Sequence, residues 1–412
     1  MNLNNKYSML FLAAFSWLQF SCSSSSNSSE NVQQQLKITP DKEVKELAEE
    51  NLEKAVAQYK VLRNRLPEGR FPKTYYADKD SLETSDSGWW TSGFYPGTLL
   101  YLYEVTGDKE LLQEANRIMT VLEKEKFNTK THDLGFMMFD SFGNANRINP
   151  TPEHKDIIIQ SSQSLISRYN ADVGAIKSWE SKPQDFLVII DNMMNLDMLF
   201  WATKETGDST YYNIAVKHAN TTMENHFRED NSTYHVLNYN PKTGSVQEKK
   251  TAQGYADESA WARGQAWGLY GYTDVYRETG DKKYLEQANK IAAFMLNHPN
   301  MPSDKVPYWD FNAPDIPNAP RDASAAAIMA SALLELSTYV EGDKAEQYFN
   351  IAEQIIRTLS TPEYLAAPGT NGGFILKHSV GSLPANSEVD VPLTYGDYYY
   401  VEALKRYLEY GK

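Results

Sequence analysis

The stretch YEVTGDKELLQEANRI, residues 103–118, has three near copies: TKETGDSTYYNIAVKHA from Thr203, YRETGDKKYLEQANKI from Tyr276 and YVEGDKAEQYFNIAEQI from Tyr339. In each, a helical run stops at Gly-Asp and an amphipathic run follows. Gly107, Gly207, Gly280 and Gly342 suit the left-handed residue that ends a helix. The Asp after each glycine suits the cap of the next one. Each copy therefore reads as a helical hairpin.

The four glycines are 100, 73 and 62 residues apart, too irregular for a short-period solenoid, and the longer gaps leave room for further hairpins. Val44 to Leu62 and Glu153 to Arg168 also read as helices, and YGDYYYVEALKRYLEY closes the chain. About six hairpins with few convincing strands predict an all-α fold, an (α/α)6 barrel, with an open helical superhelix as the alternative. The run before each Gly-Asp is apolar and rich in small residues (FYPGTLLYLYEV, LDMLFWATKE, AWGLYGYTDVY, AAAIMASALLEL), while the run after it is charged on one side. The first helix of each pair belongs inside and the second outside.

Sixteen or seventeen residues upstream of the glycines stand Trp90, Asp191, Arg263 and Ala325, the last just after Asp322. An inner helix of that length spans about 25 Å. The Gly-Asp turns should thus lie at one end of the ring, and Trp90, Asp191, Arg263 and Asp322 at the other.

Composition narrows the function. The 412 residues carry a net charge of −14 and no Lys/Arg-rich block, which argues against nucleic acid as a partner. The apolar run Met9 to Phe20 after Lys6 reads as an export signal and ends at Cys22, the only cysteine. Leu18-Gln-Phe-Ser-Cys22 resembles a relaxed bacterial lipobox. The expectation is a signal peptide over 1–21, lipidation at Cys22, a polar linker over 22–42 and one catalytic domain over 43–412. The protein would then be exported and anchored by lipid in the cell envelope, facing the periplasm, with ordinary secretion as the alternative. Without thiols in the body, neither disulfides nor cysteine-ligated metals hold it together. The seven histidines show no HExxH and no i, i+4 pair, and no P-loop, GxGxxG or GxSxG occurs, so no metal or cofactor is expected. His218 and His226, on an outer helix, read as surface residues.

Asp191 in VIIDNMMN follows three β-branched apolar residues, and its position suits a helix cap as well as a buried acid. His132-Asp133 in THDLGFMMF reads either as a turn or as a donor–acceptor pair in a pocket. Two carboxylates across a cleft are the minimum equipment for acid/base attack on a glycosidic or enol-ether bond. In YADESAWARGQAWGLYGY, Arg263, Trp267 and Tyr270 form one helix stripe, and Gly264, Gly268 and Gly271 another that permits close packing. An Arg beside Trp suits an anionic sugar, pairing with a carboxylate or sulfate while the ring stacks.

GWWTSGFYPG, HDLGF, VIIDNMMNL, STYHVLNYNPKTG, GYADESAWARGQAWGLYG and RDASAAAI together resemble the unsaturated glucuronyl hydrolases, glycoside hydrolase family 88. The resemblance runs from about residue 45 to the C-terminus and implies the same barrel. It implies release of a 4,5-unsaturated uronic acid from lyase-generated glycosaminoglycan oligosaccharides, by hydration of the C4=C5 enol ether. On its pattern Asp191 matches the general acid/base and Asp133 its catalytic partner. Trp90, His132, Trp179, His235, Thr251, Gln253, Arg263 and Trp267 match pocket positions. The related unsaturated rhamnogalacturonyl hydrolases typically lack the Asp of HDLGF, which favours the glucuronyl branch. The stretch DSFGNANRINPTPEHKD after Met138 reads as an inserted loop. A non-catalytic glycan-binding lipoprotein is the alternative of another class. Linkage, sulfation and oligomeric state stay open at this point.

Overall fold

The computed structural model describes residues 38–412. The expected signal segment, Cys22 with its expected lipidation, and most of the expected linker lie outside the described residues.

The Gly-Asp reading holds at three of its four sites. α2 (Phe94–Thr106) ends at Gly107, and α3 (Lys109–Leu122) begins beyond it with Asp108 accepting from the Glu110 N–H. α6 (Asp197–Thr206) and α7 (Ser209–Asn225) are joined in the same way by Gly207 and Asp208. Gly280 and Asp281 join α8 (Ala262–Thr279) to α9 (Lys282–Asn297). The three glycines have φ of 72°, 74° and 66°, left-handed values open to a residue without Cβ. The fourth copy departs. α10 (Ala323–Ser337) stops earlier, and Gly342, at φ 60° and ψ −143°, precedes α11 (Asp343–Leu359), so Asp343 lies inside that helix and does not cap it.

α2, α6, α8, α10 and α12 (Thr394–Glu409) are inner helices. Every residue of α10 is buried, as expected of a helix apolar all round. The sixth inner element was not expected. The presumed loop after Met138 is helical: a π-helix over Gly135–Gly143 runs into the short α4 (Asn144–Ile148), and α5 (Pro152–Ile166) packs outside it. The inner ring runs α2, π-helix, α6, α8, α10, α12 and back to α2. α1 (Lys42–Arg65), capped by Asp41, packs on α12 and closes the sixth hairpin between the two ends of the described chain. The expected linker is thus one residue too long, because Lys42 is already helical.

The nine short strands among the described residues all fall in connections that run from an outer helix to an inner one. They form a three-stranded antiparallel sheet (Phe186–Ile189, Val236–Tyr239, Val246–Lys250), a small pair at Tyr169–Asn170, and two hairpins: Phe71–Tyr76 with Ser81–Ser85, and Ser379–Ser382 with Ser387–Val391. The inner-to-outer turns are short. One end of the barrel is therefore plain, and the other carries the long, structured loops. The loops converge where the inner helices begin.

Candidate active site

Asp191 enters the barrel from the strand Phe186–Ile189, whose apolar side chains bury against Val236–Tyr239. The chain then forms a single 3-10 turn, Ile190–Asn195, before α6 starts. Asp191 caps nothing there; its side chain makes no hydrogen bond to a helix end. The turn is wedged between two helices by missing side chains. A Cβ on Gly271 would stand 2.4 Å from the Met193 Cβ, and one on Gly135 would stand 2.5 Å from the Asn195 Cα. Gly264 and Gly268 face Ile190. The glycine stripe of α8 is thus the surface on which the Asp191 segment lies. Asn195 Oδ1 accepts from the Phe136 N–H at 3.1 Å, and Asn192 donates to the Ile176 carbonyl at 3.0 Å.

Asp191 is only 8% exposed. Burial pushes its carboxyl up, Asp133 adds to the shift, and His132 and Arg263 oppose it. The result is a pKa of about 7. His235 Nε2 lies 3.7 Å from Asp191 Oδ1. The other ring nitrogen, Nδ1, accepts the backbone N–H groups of Ala252 (3.1 Å) and Gln253 (3.3 Å), which leaves the ring proton on Nε2, toward Asp191. Burial and the Arg263 charge lower the His235 pKa to about 3, so that ring is neutral.

The second carboxylate is held differently. Asp133 accepts from the Thr131 hydroxyl at 2.5 Å, and its Oδ1 lies 3.1 Å from His132 Nε2. Burial would raise this carboxyl, but His132, Thr131 and the charge of Arg168 outweigh it, and its pKa falls below the ordinary value. Ser178 sets the His132 ring: its oxygen accepts the Ile189 N–H at 3.0 Å and lies 3.3 Å from His132 Nδ1. Arg168 ties the two loops together, donating to the Thr129 carbonyl, to the Lys177 carbonyl at 2.8 Å and to the Ser178 carbonyl at 3.3 Å. One carboxyl is pushed up to about 7 and the other is held below its ordinary value.

Arg263 is 1% exposed and committed to the protein. It pairs with Asp322, the cap of α10, at 3.2 Å. It donates to the carbonyls of Val380 and of Gly381 (2.8 Å) and reaches Gln253 Oε1 at 3.4 Å. Trp261 and Tyr395 face its guanidinium, 4.6 and 5.1 Å from their ring centroids. Most of its donors hold Asp322 and the Ser379–Ser382 strand, and Nε is the guanidinium nitrogen left unpartnered for an anionic sugar.

Trp90 packs at a tilt against Tyr395, 4.9 Å between ring centroids, and edge-on against Phe136, which meets Trp267 at 5.0 Å. Trp179 stands edge-on to His235 at 6.2 Å. Thr251 is spent on its own loop, where its hydroxyl accepts from the Gly254 N–H. Asp191 Oδ1, His235 Nε2, Arg263 Nε, Trp267 Nε1 and the Tyr395 hydroxyl are all buried without hydrogen-bond partners. So many unpaired polar atoms in one place mark a ligand site, since buried polar groups are otherwise satisfied. Among the described residues no group of three or more His, Cys, Asp or Glu is placed to hold a metal ion.

Trp261, Tyr395, Ser178, Thr131 and Arg168 were missed as site residues. Trp261, its ring 4.3 Å from His235, Thr131 and Tyr395 all lie within quoted stretches; Ser178 and Arg168 carry no local signal. His218 and His226 are fully buried, contrary to the surface reading. His218 Nδ1 accepts the Ile176 N–H, and His226 Nε2 lies 3.2 Å from the Val188 carbonyl, so the two rings tie α7 and its C-terminal residue to the Tyr169–Asn170/Ala175–Ile176 pair and to the three-stranded sheet respectively.

Residues 68–412 match Glycosyl Hydrolase Family 88. An unsaturated glucuronyl hydrolase of Formosa agariphila is 48% identical over 360 residues, covering 85% of this chain and 89% of the relative. An unsaturated chondroitin disaccharide hydrolase of Streptococcus pyogenes serotype M1 is 33% identical over 339 residues, covering 81% and 83%. The crystal structure of an unsaturated glucuronyl hydrolase specific for heparin superposes with a TM-score of 0.86 at 49% identity, covering 88% of this chain and 97% of the other.

Proposed function

Because the chain belongs to Glycosyl Hydrolase Family 88, whose relatives are named for this chemistry, we propose Asp191 as the residue that delivers the proton in its reaction. The chain is a glycoside hydrolase that releases the 4,5-unsaturated uronic acid from the non-reducing end of glycosaminoglycan oligosaccharides. In this reading the neutral Asp191 protonates C4 of the enol ether, leaving oxocarbenium character at C5 and the ring oxygen. Asp191, now a carboxylate, takes a proton from the water that adds to C5. The C5 hemiketal opens to a ketone, and the hemiacetal left at C1 expels the saturated sugar. One water is consumed and Asp191 ends protonated again. Asp133, ionised and held by His132 and Thr131, faces the developing positive charge. The observation that supports this assignment is the pair of buried carboxyls driven apart, one to about 7 and one below its ordinary value. Loss of the ultraviolet absorbance of the conjugated double bond, measured for wild type and Asp191→Asn, tests it.

The substrate class proposed is the heparin-type disaccharide, because the likeness to the heparin-specific structure (49%) exceeds that to the chondroitin disaccharide hydrolase (33%). Faster turnover of unsaturated chondroitin than heparin disaccharides would reverse that assignment. We also propose that Cys22, at the end of the apolar run Met9 to Phe20, is lipidated and anchors the enzyme in the cell envelope, facing the periplasm. Release of a Cys22→Ser variant into the soluble fraction, with the wild type requiring detergent, is the expected result.

A further inference from the structure

Large exposed hydrophobic side chains are few among the described residues: Trp89, Val105, Phe127 and Tyr255. Trp89 and Tyr255 stand out by position. Trp89 is 42% exposed and directly precedes Trp90; Tyr255 is 50% exposed and lies two residues beyond Gln253. Each is thus a close chain neighbour of a residue matched to the pocket. Both are tied to the same rim element, the hairpin formed by Ser379–Ser382 and Ser387–Val391. On one flank, the Lys73 ammonium sits 4.8 Å from the Trp89 ring centroid, and Lys73 also pairs with Glu388 of the hairpin at 3.7 Å. On the other, the Tyr255 ring meets Trp309 edge-on at 6.5 Å, and Trp309 belongs to the apolar cluster that includes Val380 and Leu383. The hairpin itself is roped to the pocket through Arg263, which donates to the Val380 and Gly381 carbonyls. The hairpin therefore links Arg263 of the site to a half-exposed aromatic ring on each flank, Trp89 through Lys73 and Glu388 and Tyr255 through Trp309.

We propose that Trp89 and Tyr255 form outer subsites that stack on pyranose rings of the leaving group, beyond the sugar whose bond is broken. An exposed indole or phenol offers a flat apolar face to the C–H side of a sugar, and neither ring is needed for the core. Lys73 supports the Trp89 platform from β-strand Phe71–Tyr76, its charge already balanced by Glu83 (2.5 Å) and Glu388. Trp89 thus sits over a patch with more carboxylate than ammonium. That favours stacking on the sugar ring over capture of a sulfate. These outer contacts make long substrates better than disaccharides by uniform binding, so they act on KM.

The inference rests on the hydrolase reading above. Its test compares kcat/KM for unsaturated disaccharide and tetrasaccharide from the same polymer, in wild type, Trp89→Ala, Trp89→Phe and Tyr255→Ala. The ratio of tetrasaccharide to disaccharide should fall about three- to tenfold in each alanine variant, through KM, and return toward the wild-type value in Trp89→Phe. An unchanged ratio, or equal losses on both substrates, overturns the outer subsites while leaving the reaction in place. Absence of disaccharide turnover by the wild type would instead overturn the hydrolase reading on which they rest.

Discussion

Replacing Asp191 with asparagine should abolish turnover and at the same time stabilise the fold, by an amount that grows with pH. In the unfolded chain this carboxyl ionises near 3.8; in the folded protein it holds its proton to about 7. Between those values the native state binds a proton that the unfolded state has released, so native stability falls as pH rises through the window. The displacement corresponds to about 4 kcal/mol, reached once the pH is above the native value. Asparagine keeps the shape and cannot ionise, so it removes this penalty. Urea unfolding of both proteins near pH 4, 6 and 8 reads the difference directly. The variant's advantage should be smallest near pH 4 and grow by about 4 kcal/mol toward pH 8. An advantage that does not change with pH, or a variant that loses stability relative to wild type as pH rises, would refute the buried, protonated Asp191.

Wild-type turnover should fall as pH rises through about 7, because the proton donor is then spent; a rate that climbs through this range contradicts the assignment. Asp133→Asn should cut kcat by roughly 10²–10⁴. It should also move the alkaline limb of the pH–rate profile downward, since the Asp133 charge helps hold Asp191 up. Gly271→Ala puts a Cβ 2.4 Å from the Met193 Cβ and should cost about 1–3 kcal/mol in urea unfolding, with lowered kcat as the Asp191 turn shifts. Arg263→Met strands the fully buried Asp322 and should cost about 3–5 kcal/mol, part of which a second change, Asp322→Leu, restores.

The ring was readable because its punctuation is local. A glycine that must turn left-handed and an aspartate that caps the next helix write themselves into neighbouring residues, and Gly107, Gly207 and Gly280 obey. Gly342 has the same letters but follows a helix that stopped at Ser337, a choice made by packing and not by the motif. The π-helix over Gly135–Gly143 escaped notice because its hydrogen-bond pattern has no residue signature, and Gly143 and Asn144 suggested a loop. At the site, helix counting brought Asp191, Trp90, Arg263 and Asp322 to one mouth, and the structure places them there. The capping option for Asp191 did not survive, because a 3-10 turn precedes α6. The protein partners of Arg263 were not legible for a similar reason. Two of its partners are backbone carbonyls more than a hundred residues away, which no side-chain pattern announces. His218 and His226 read as surface residues because they fall on an outer helix; the strands that meet them, at Ile176 and Val188, come from elsewhere in the chain.

The claim at the centre of this account is that Asp191 carries the proton to C4. Single-turnover loss of the ultraviolet absorbance of an unsaturated disaccharide, with wild type and Asp191→Asn at saturating enzyme, tests it most directly. The rate should fall about a thousandfold or more in a variant that still unfolds cooperatively. A rate within about tenfold of wild type would contradict it.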